Sequence, residues 1–384
     1  MSHSPSSLSE LTELVRQWHQ SATPWIPSGQ GHHLTWGPPL NPNHPILSCR
    51  LLNQVIDHAV DDLTITVQAG LDFNTLQELL AEKGQWLPID PPRDGRPSSI
   101  GGLVARGLAG GLRQRHLGVR DQIIGIGLLR SDGVHAQAGG RVVKNVAGYD
   151  LMRLLCGSWG SLALITQLTL RVKPISPASG LLIVHGALEQ QECFRAALMQ
   201  SSLTPERCDW QKPGEDEGWR LRLLISSINA QAVDDQLKRL EQLAQDHGLS
   251  YARHDSRPPC ETGLAEQNGP WLVRVVLPPA KLQRLLNAPA LRQLNGWQWD
   301  LAAGHGCGDG WSTSASPAYQ VSALRQDVTR LGGFLSVLKQ PQGSEIAAWL
   351  DAPSRPLIEA VKRQFDPQWQ LCRGRLPGVH QPVA

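Results

Sequence analysis

The first apolar pattern with a clear period lies near the N-terminus, where Leu8, Leu11, Leu14, Val15 and Trp18 recur at helical spacing. Ser7 and Glu10 stand three residues apart at its start, a capping-box spacing, and together these positions predict an amphipathic helix. Short apolar stretches at Trp25-Ile26 and 46–48 read as strands on either side of Pro27-Ser28-Gly29-Gln30-Gly31-His32-His33. Alternation of Leu63, Ile65 and Val67 with Thr64, Thr66 and Gln68 predicts a strand over 63–69. Asp72 then caps a helix with Phe73, Leu76, Leu79 and Leu80 on one face, and Gly84 ends it. After a proline-rich stretch at 88–97, residues 123–129, the turn Ser131-Asp132-Gly133 and residues 134–138 read as a hairpin. A long strand at 162–173 is stopped by Pro174.

Beyond Pro174 the texture changes. Strand patterns at 181–184, 221–225, 271–277 and 334–338 alternate with amphipathic helices at 188–199, 230–246, 280–287 and 321–331. Such an order predicts an open sheet with helices on one side, ferredoxin-like or related. No internal repeat is legible. The class is α+β rather than a regularly alternating doubly wound sheet. The expected division is a first domain at 1–175, a cap at 176–345, and C-terminal helices and tail at 346–384 that return to the first domain.

Composition narrows the function classes. Apolar residues make up 41% and charged residues 18% of 384, which suits a folded chain long enough for two domains. Net charge is +2 with both signs mixed along the chain, so nucleic acid is set aside as a partner. The segment 1–10 lacks the basic start and apolar run of a secretory signal, and no stretch approaches the ~18 apolar residues of a membrane helix. A cytoplasmic location is expected, with peripheral membrane association through partners left open. The seven cysteines form no C-x-x-C pair, so neither a zinc nor an iron–sulfur ligand set is expected. A redox role would therefore require another protein to take the electrons. The 13 tryptophans have no explanation at this level.

Three glycine-containing segments carry the candidate chemistry. Gly29 and Gly31 lie between strand patterns, where glycine lets backbone N–H groups approach an anion such as a diphosphate; a plain turn is the alternative. Ser99-Ile100-Gly101-Gly102 leads into Ala105, Gly107, Ala109, Gly110 and Gly111. So many small residues fit either a ligand lying on the backbone or a tight helix–sheet contact. The third segment runs from Gly139 to Leu151 and gathers Lys144, Asn145, Tyr149 and Asp150. No G-x-G-x-x-G of the Rossmann type, no P-loop and no G-x-S-x-G occurs.

Taken in order, these segments resemble the FAD-binding domain of the vanillyl-alcohol-oxidase (p-cresol methylhydroxylase) family, and within it the FAD-binding E-type subunits of bacterial glycolate oxidases. Pro27-Ser28-Gly29-Gln30-Gly31 is similar to the first diphosphate loop, and Thr66-Val67-Gln68-Ala69-Gly70 to the strand that ends in glycine. Leu87-Pro88-Ile89-Asp90-Pro91-Pro92 with Ser99-Ile100-Gly101-Gly102 resembles the second cofactor loop. Gly118-Val119-Arg120-Asp121 and Val143-Lys144-Asn145-Val146-Ala147-Gly148-Tyr149-Asp150-Leu151 follow in the family's order. Phe365-Asp366-Pro367 and Gly374-Arg375 resemble its terminal F-D-P and N-P-G-R. Departures occur at Cys372-Arg373, which replace N-P, and at Trp159, where related catalytic subunits read G-S-E-G-T-L-G. Gly304-His305-Gly306-Cys307-Gly308-Asp309-Gly310-Trp311 is superficially similar to the metal-assisting G-H-x-G-D-G-N-x-H of catalytic D-type relatives. Its Asn and second His are missing, so it reads as a glycine-rich turn without a metal.

The resemblance implies a family-type FAD-binding domain of two α+β subdomains and a smaller open-sheet cap. It implies FAD held non-covalently by Pro27, Ser28, Gly29, Gln30, Gly31, His32, Pro91, Ser99, Ile100, Gly101, Gly102, Gly110, Gly111, Arg115, Gly118, Asp121, Lys144, Gly148 and Tyr149. The N–H groups around Gly29 to His32 and Ile100 to Gly102 would hold the diphosphate. The substrate implied is a small 2-hydroxy acid, glycolate or D-lactate, with a flavoprotein D-type subunit and an iron–sulfur subunit as partners. Arg113, His116, Lys144, Tyr149 and His305 are the candidate catalytic residues, with no decisive set among them. Three readings stay open: a catalytic dehydrogenase subunit, a flavin-holding subunit that supports a catalytic relative, and a stand-alone oxidase.

Overall fold

The computed structural model describes residues 1–92, 94–140, 150–214, 217–254 and 269–380. Strand β1 (Ser2–His3) precedes helix α1 (Leu8–Gln20), and β2 (Ile26–Ser28) and β3 (Ile46–Ser48) complete a parallel three-stranded sheet in the order β1-β3-β2. Ser7 accepts the N–H of Glu10 as the capping pattern predicts, but the Glu10 carboxylate returns to the N–H of Ser6 at 2.9 Å. Leu11 and Val15 of α1 pack with Trp25 and Leu47 into a small core.

A second sheet follows. Strands β4 (Val55–Ala59) and β5 (Thr64–Gln68) lead to α2 (Phe73–Ala81), capped by the Asp72 carboxylate, and to the short β6 (Gln85–Trp86). Helices α3 (Ile100–Arg106), α4 (Arg113–His116) and α5 (Val119–Gln122) come next. The predicted hairpin is β7 (Ile123–Leu129) and β8 (His135–Gly139), followed by α6 (Leu151–Leu155) and the long β9 (Leu164–Arg171). The five strands run β4-β5-β9-β7-β8, all antiparallel, while β10 (Lys173–Pro174) pairs with β6. Ile65, Val67, Leu168 and Leu170 of this sheet, Leu76 and Leu80 of α2 and Leu103 of α3 form one core.

The remaining chain builds one eight-stranded antiparallel sheet out of two copies of a single motif. The first copy is β11 (Ala178–His185), α7 (Leu188–Gln200), β12 (Arg207–Lys212), β13 (Arg220–Ser227), α8 (Ala230–Asp246) and β14 (Ser250–His254). The second is β15 (Trp271–Val276), the short helices α9 (Leu282–Leu286) and α10 (Pro289–Arg292), β16 (Gln298–Ala302), β17 (Cys307–Ser312), α11 (Ala318–Arg330) and β18 (Phe334–Lys339). The sheet order β14-β11-β13-β12-β16-β17-β15-β18 is the ferredoxin-like order twice, joined where β12 pairs with β16. The sequence shows no trace of this repeat because the copies share topology rather than residues.

One face of the sheet is apolar. Val273 and Val275 of β15, Leu221, Leu223 and Ile225 of β13 and Trp297–Trp299 meet the helices in the larger core. Alternate residues of the sheet point the other way, toward Trp36, Asp90 and residues 108–111 of the first domain, and these are Arg207, Asp209, Leu272, Arg274, Asp309 and Trp311. The Gly304–Trp311 segment is therefore only partly the turn that the sequence suggests. Gly304–Gly306 turns, but residues 307–312 form strand β17, where a Cβ on Gly310 would enter the ring of Trp299. Many of the tryptophans prove to be core residues: Trp25, Trp36, Trp210, Trp271, Trp297 and Trp299 are fully buried.

After β18 the chain crosses back. Helix α12 (Arg355–Phe365) lays Ile358, Val361 and Phe365 on the core of the five-stranded sheet, and Leu376 and Val379 join it. The Lys362 ammonium is buried and donates to the Asp366 carboxylate at 2.5 Å and to the carbonyls of Ser161 and Leu371. Asp366, the acid of the F-D-P pattern, also takes the N–H groups of Gln370 and Leu371.

Candidate active site

A cleft of about 110 Å³ opens where the two glycine loops face each other. Pro27 to Gly31, His33 and Leu34 form one wall, and Ser98, Ser99, Gly101, Gly102, Ala105 and Arg106 form the other. Trp159, Gly160, Ala163 to Ile165 and Arg375 complete it. The walls touch: a Cβ on Gly29 would overlap the Ser99 hydroxyl and approach its Cβ to 2.7 Å, so only glycine fits there. The N–H groups of residues 30–33 make no hydrogen bond among the described residues, which leaves them available to a ligand.

The second loop works differently from the expectation. Ser99 caps α3 through the N–H of Gly102 at 3.2 Å, while the N–H groups of Ile100 and Gly101 are taken by the carbonyls of Leu71 and Ala69. Ile100 turns its side chain into the core rather than the cleft. The backbone donors of Ile100 and Gly101 are thus already spent, and this loop offers the cleft small surfaces and a hydroxyl instead.

The positive charge comes from Arg106, at the last turn of α3. Its guanidinium is buried, lies over the Trp36 ring at 5.0 Å, and donates to the Ser98 hydroxyl at 2.9 Å. No ion pair neutralises it among the described residues, and burial lowers its pKa to about 10. A buried cation without a carboxylate partner is costly unless an anion joins it. The relay continues outward, because the Ser98 hydroxyl meets His33 Nδ1 at 3.2 Å and His33 Nε2 meets the Asp94 carboxylate at 3.0 Å. Nε2 must donate to that carboxylate, so Nδ1 accepts from Ser98. Burial lowers the His33 pKa and outweighs Asp94, which keeps this ring neutral. Burial alone would raise Asp94, but hydrogen bonds from His33 and Arg96 hold it well below the usual carboxylate range. Free N–H groups on one side and a buried guanidinium on the other suit a ligand carrying a diphosphate.

Of the residues expected from sequence, Pro27, Ser28, Gly29, Gln30, Gly31, Ser99, Gly101 and Gly102 line the cleft. His32 stands beside it, bonded to the Pro97 carbonyl at 3.0 Å. Pro91, Gly110, Gly111, Arg115, Gly118 and Asp121 do not line it. Asp90 binds the N–H groups of Gly110 and Leu112, Gly111 lies against Asp209, and Asp121 caps α5 at Gly118. Lys144, Gly148 and Tyr149 lie outside the described residues. The sequence reading missed His33, Ser98 and Arg106, and no glycine signal marks them. Arg375, quoted there only as part of a terminal pattern, reaches the cleft and donates to the carbonyls of Leu34 and Pro38.

Among the described residues, the candidate catalytic side chains do not converge. Arg113 is exposed. His116 is buried with both ring nitrogens engaged, Nε2 by Glu206 and Nδ1 by Lys173 at 2.9 Å. His305 Nε2 donates to the Gly110 carbonyl at 3.0 Å, which leaves Nδ1 buried without a partner, and burial lowers its pKa.

Comparison with known proteins bears on this cleft directly. Residues 3–139 match the family model described as the FAD binding domain. The chain is 36% identical over 169 residues to the glycolate oxidase subunit GlcE of Escherichia coli (strain K12), covering 44% of this chain and 48% of that protein. It is 32% identical to the glycolate oxidase subunit GlcD of Bacillus subtilis (strain 168), over 44% of this chain and 36% of that protein. A mitochondrial D-lactate dehydrogenase (cytochrome) of Arabidopsis thaliana is also 32% identical, over 44% and 30%. The match thus spans less than half the length of each of these relatives. An alkyldihydroxyacetonephosphate synthase structure superposes on 100% of this chain and 77% of its own with a TM-score of 0.71 at 15% identity, which establishes the shared fold. The cleft lies within the matching N-terminal segment: residues 3–139 carry an FAD binding domain, the whole-chain superposition gives the fold, and FAD is the cofactor.

Proposed function

We propose that the chain is an FAD-binding oxidoreductase subunit that oxidises a small 2-hydroxy acid, glycolate or D-lactate, and passes the electrons to a partner protein. The observation that carries the flavin half of this reading is the buried, unneutralised Arg106 facing free N–H groups across a cleft that only glycine at position 29 permits. The names of the relatives support the substrate half, and their subunit names support a partner. FAD, when bound, supplies the acceptor for the hydride that leaves the substrate Cα.

The chain's own residues do the rest. The N–H groups of residues 30–33 and the Arg106 guanidinium would hold the diphosphate, non-covalently, and Ser98 fixes the guanidinium. Ala105, Gly101 and Gly102 would offer the cofactor a small-residue surface on α3. The eight-stranded sheet closes the side facing residues 108–116: Arg274 donates to the Ala109 carbonyl and His305 to that of Gly110, shutting water out there. Residues 1–175 with 346–384 form the flavin-binding unit in this reading, and 176–345 the cap. Among the described candidates, His305 Nδ1 is the ring nitrogen able to accept a proton, since His116 has none free.

One observation favours a second reading, a flavin-holding subunit that supports a catalytic relative. The two polar residues of Gly304–Trp311 are engaged within the chain, His305 by Gly110 and Asp309 by Arg274 at 3.0 Å. Anaerobic addition of glycolate and then D-lactate to the purified chain separates the two. Bleaching of the flavin bands supports the catalytic reading, whereas bands that bleach only when a partner is added support the second. Hydrogen peroxide formed in air by the chain alone would instead make it an oxidase.

A further inference from the structure

A second cavity, of about 240 Å³, lies between β18, α11 and the returning C-terminal segment. Trp159 separates it from the flavin cleft and lines both. Trp159 sits in left-handed backbone (φ 54°) between Gly157 and Gly160, and its ring packs on Trp349 at 5.3 Å. Leu108, Leu338, Trp159 and Trp349 make the cavity walls largely apolar.

Two guanidinium groups reach this space, and they differ in one respect. Arg274 is neutralised, with Asp309 at 3.0 Å and further bonds to Ala109 and Cys307. Arg325 is 8% exposed, and its Nη2 donates to the carbonyls of Ala347 and Ala348 at 2.6 and 3.4 Å. Its Nε is buried without any acceptor, Nη1 makes no hydrogen bond among the described residues, and no carboxylate there pairs with it. Asp351, at the cavity rim, is already held by Arg355 at 2.8 Å and by the N–H of His380 at 2.7 Å. A buried cation with an unused Nη1 donor beside an apolar cavity is a site for an anion.

We propose that this cavity binds the carboxylate of a small organic acid, with the Arg325 guanidinium as its counter-charge and the Trp159–Trp349 pair against its apolar end. The space holds several water-sized groups, enough for a small organic acid. Such an acid would lie one indole away from the flavin cleft. The choice of acid rests on the 2-hydroxy-acid reading, but the site itself is argued from charge and shape alone.

The test is calorimetric titration of the FAD-loaded chain with propionate, which has no hydroxyl to oxidise, and with its neutral isostere propionamide. Propionate should bind and propionamide should bind about 10-fold more weakly or worse, the loss of a charge-assisted hydrogen bond. Arg325→Met should weaken propionate by about the same factor, and Arg325→Lys should retain part of the binding. If Arg325→Met fails to fold, Ser336→Leu, which fills the cavity from β18, should remove the binding while leaving the guanidinium in place. Absence of propionate binding, equal binding of the amide, or equal binding by Arg325→Met would overturn the assignment, as would binding of inorganic phosphate in preference to propionate. Flavin reduction by glycolate is read separately, so a failure here and a failure of the proposed function cannot be confused.

Discussion

Replacing Gly29 by alanine probes the contact between the two walls of the flavin cleft. The added Cβ would overlap the Ser99 hydroxyl, and rotating that side chain cannot relieve it, because the Ser99 Cβ itself lies only 2.7 Å away. The backbone of one wall must therefore move. Overpacking of this kind costs about 1–3 kcal/mol. The empty cleft can splay to relax, but binding FAD requires the walls to close, so the strain opposes binding. At 1.4 kcal/mol per factor of ten, FAD affinity should fall by about 5- to 150-fold. The partner substitution makes the argument specific. Ser99→Gly removes both overlapping atoms and leaves the Ser99 Cα, 4.0 Å from the new methyl, as the nearest recorded neighbour. Glycine as an N-cap costs only a few tenths of a kcal/mol relative to serine. The double variant should therefore bind FAD nearly as well as Ser99→Gly alone, a coupling of about 1–3 kcal/mol measured by flavin-fluorescence titration of the apoprotein. A Gly29→Ala chain that binds FAD like the parent, or a double variant that binds no better than Gly29→Ala alone, would refute the placement of the cofactor between these loops.

Three further outcomes follow from the same structure. Arg106→Met should weaken FAD by about 10- to 100-fold and reduce the salt dependence of binding, with Arg106→Lys intermediate; unchanged affinity in a titration over salt would remove Arg106 from the site. Lys362→Met strands the buried Asp366 carboxylate and should lower unfolding stability by about 3–5 kcal/mol in denaturant; a loss below ~1 kcal/mol would contradict the role given to the F-D-P pattern. Burial and the neighbouring Asp209 push the Asp300 carboxyl from 3.8 up to about 7. The folded state thus holds this proton more tightly than the unfolded chain, a contribution complete below pH ~4 and lost as pH rises toward about 7. Asp300→Asn should flatten the pH dependence of the melting temperature across that window, and an unaltered profile would show that the group does not titrate there.

How much of this was legible in the residues depends on which faces of an element meet water. Helices α1, α2 and α8 have one solvated face, so their periods and caps stand out in sequence. Strands β12, β16 and β17 are largely buried on both faces, one against helices and one against the segments around Asp90 and Ala109, and the second face carries Arg207, Asp209, Asp300 and Asp309. Charges and glycines at alternate positions hid them as strands. In the site, glycine announces itself because few residues tolerate close backbone approach. Arg106 does not, because an arginine in the last turn of a helix reads as a solvated C-terminal charge. Only the fold shows that it is buried and that no carboxylate forms an ion pair with it among the described residues. The segment 110–121 reads as a cofactor loop from Gly110, Gly118 and Asp121, and in the fold the Gly110 N–H meets Asp90 while Asp121 caps α5 at Gly118.

The central claim, that FAD occupies the cleft between residues 27–34 and 98–106, is tested most directly by the visible spectrum of the purified chain and of its Arg106→Met variant after incubation with FAD and gel filtration. The account expects oxidised-flavin bands to travel with the parent chain and to be largely lost from the variant. A parent chain that stays colourless after reconstitution, or a variant that retains the full flavin complement, would contradict it.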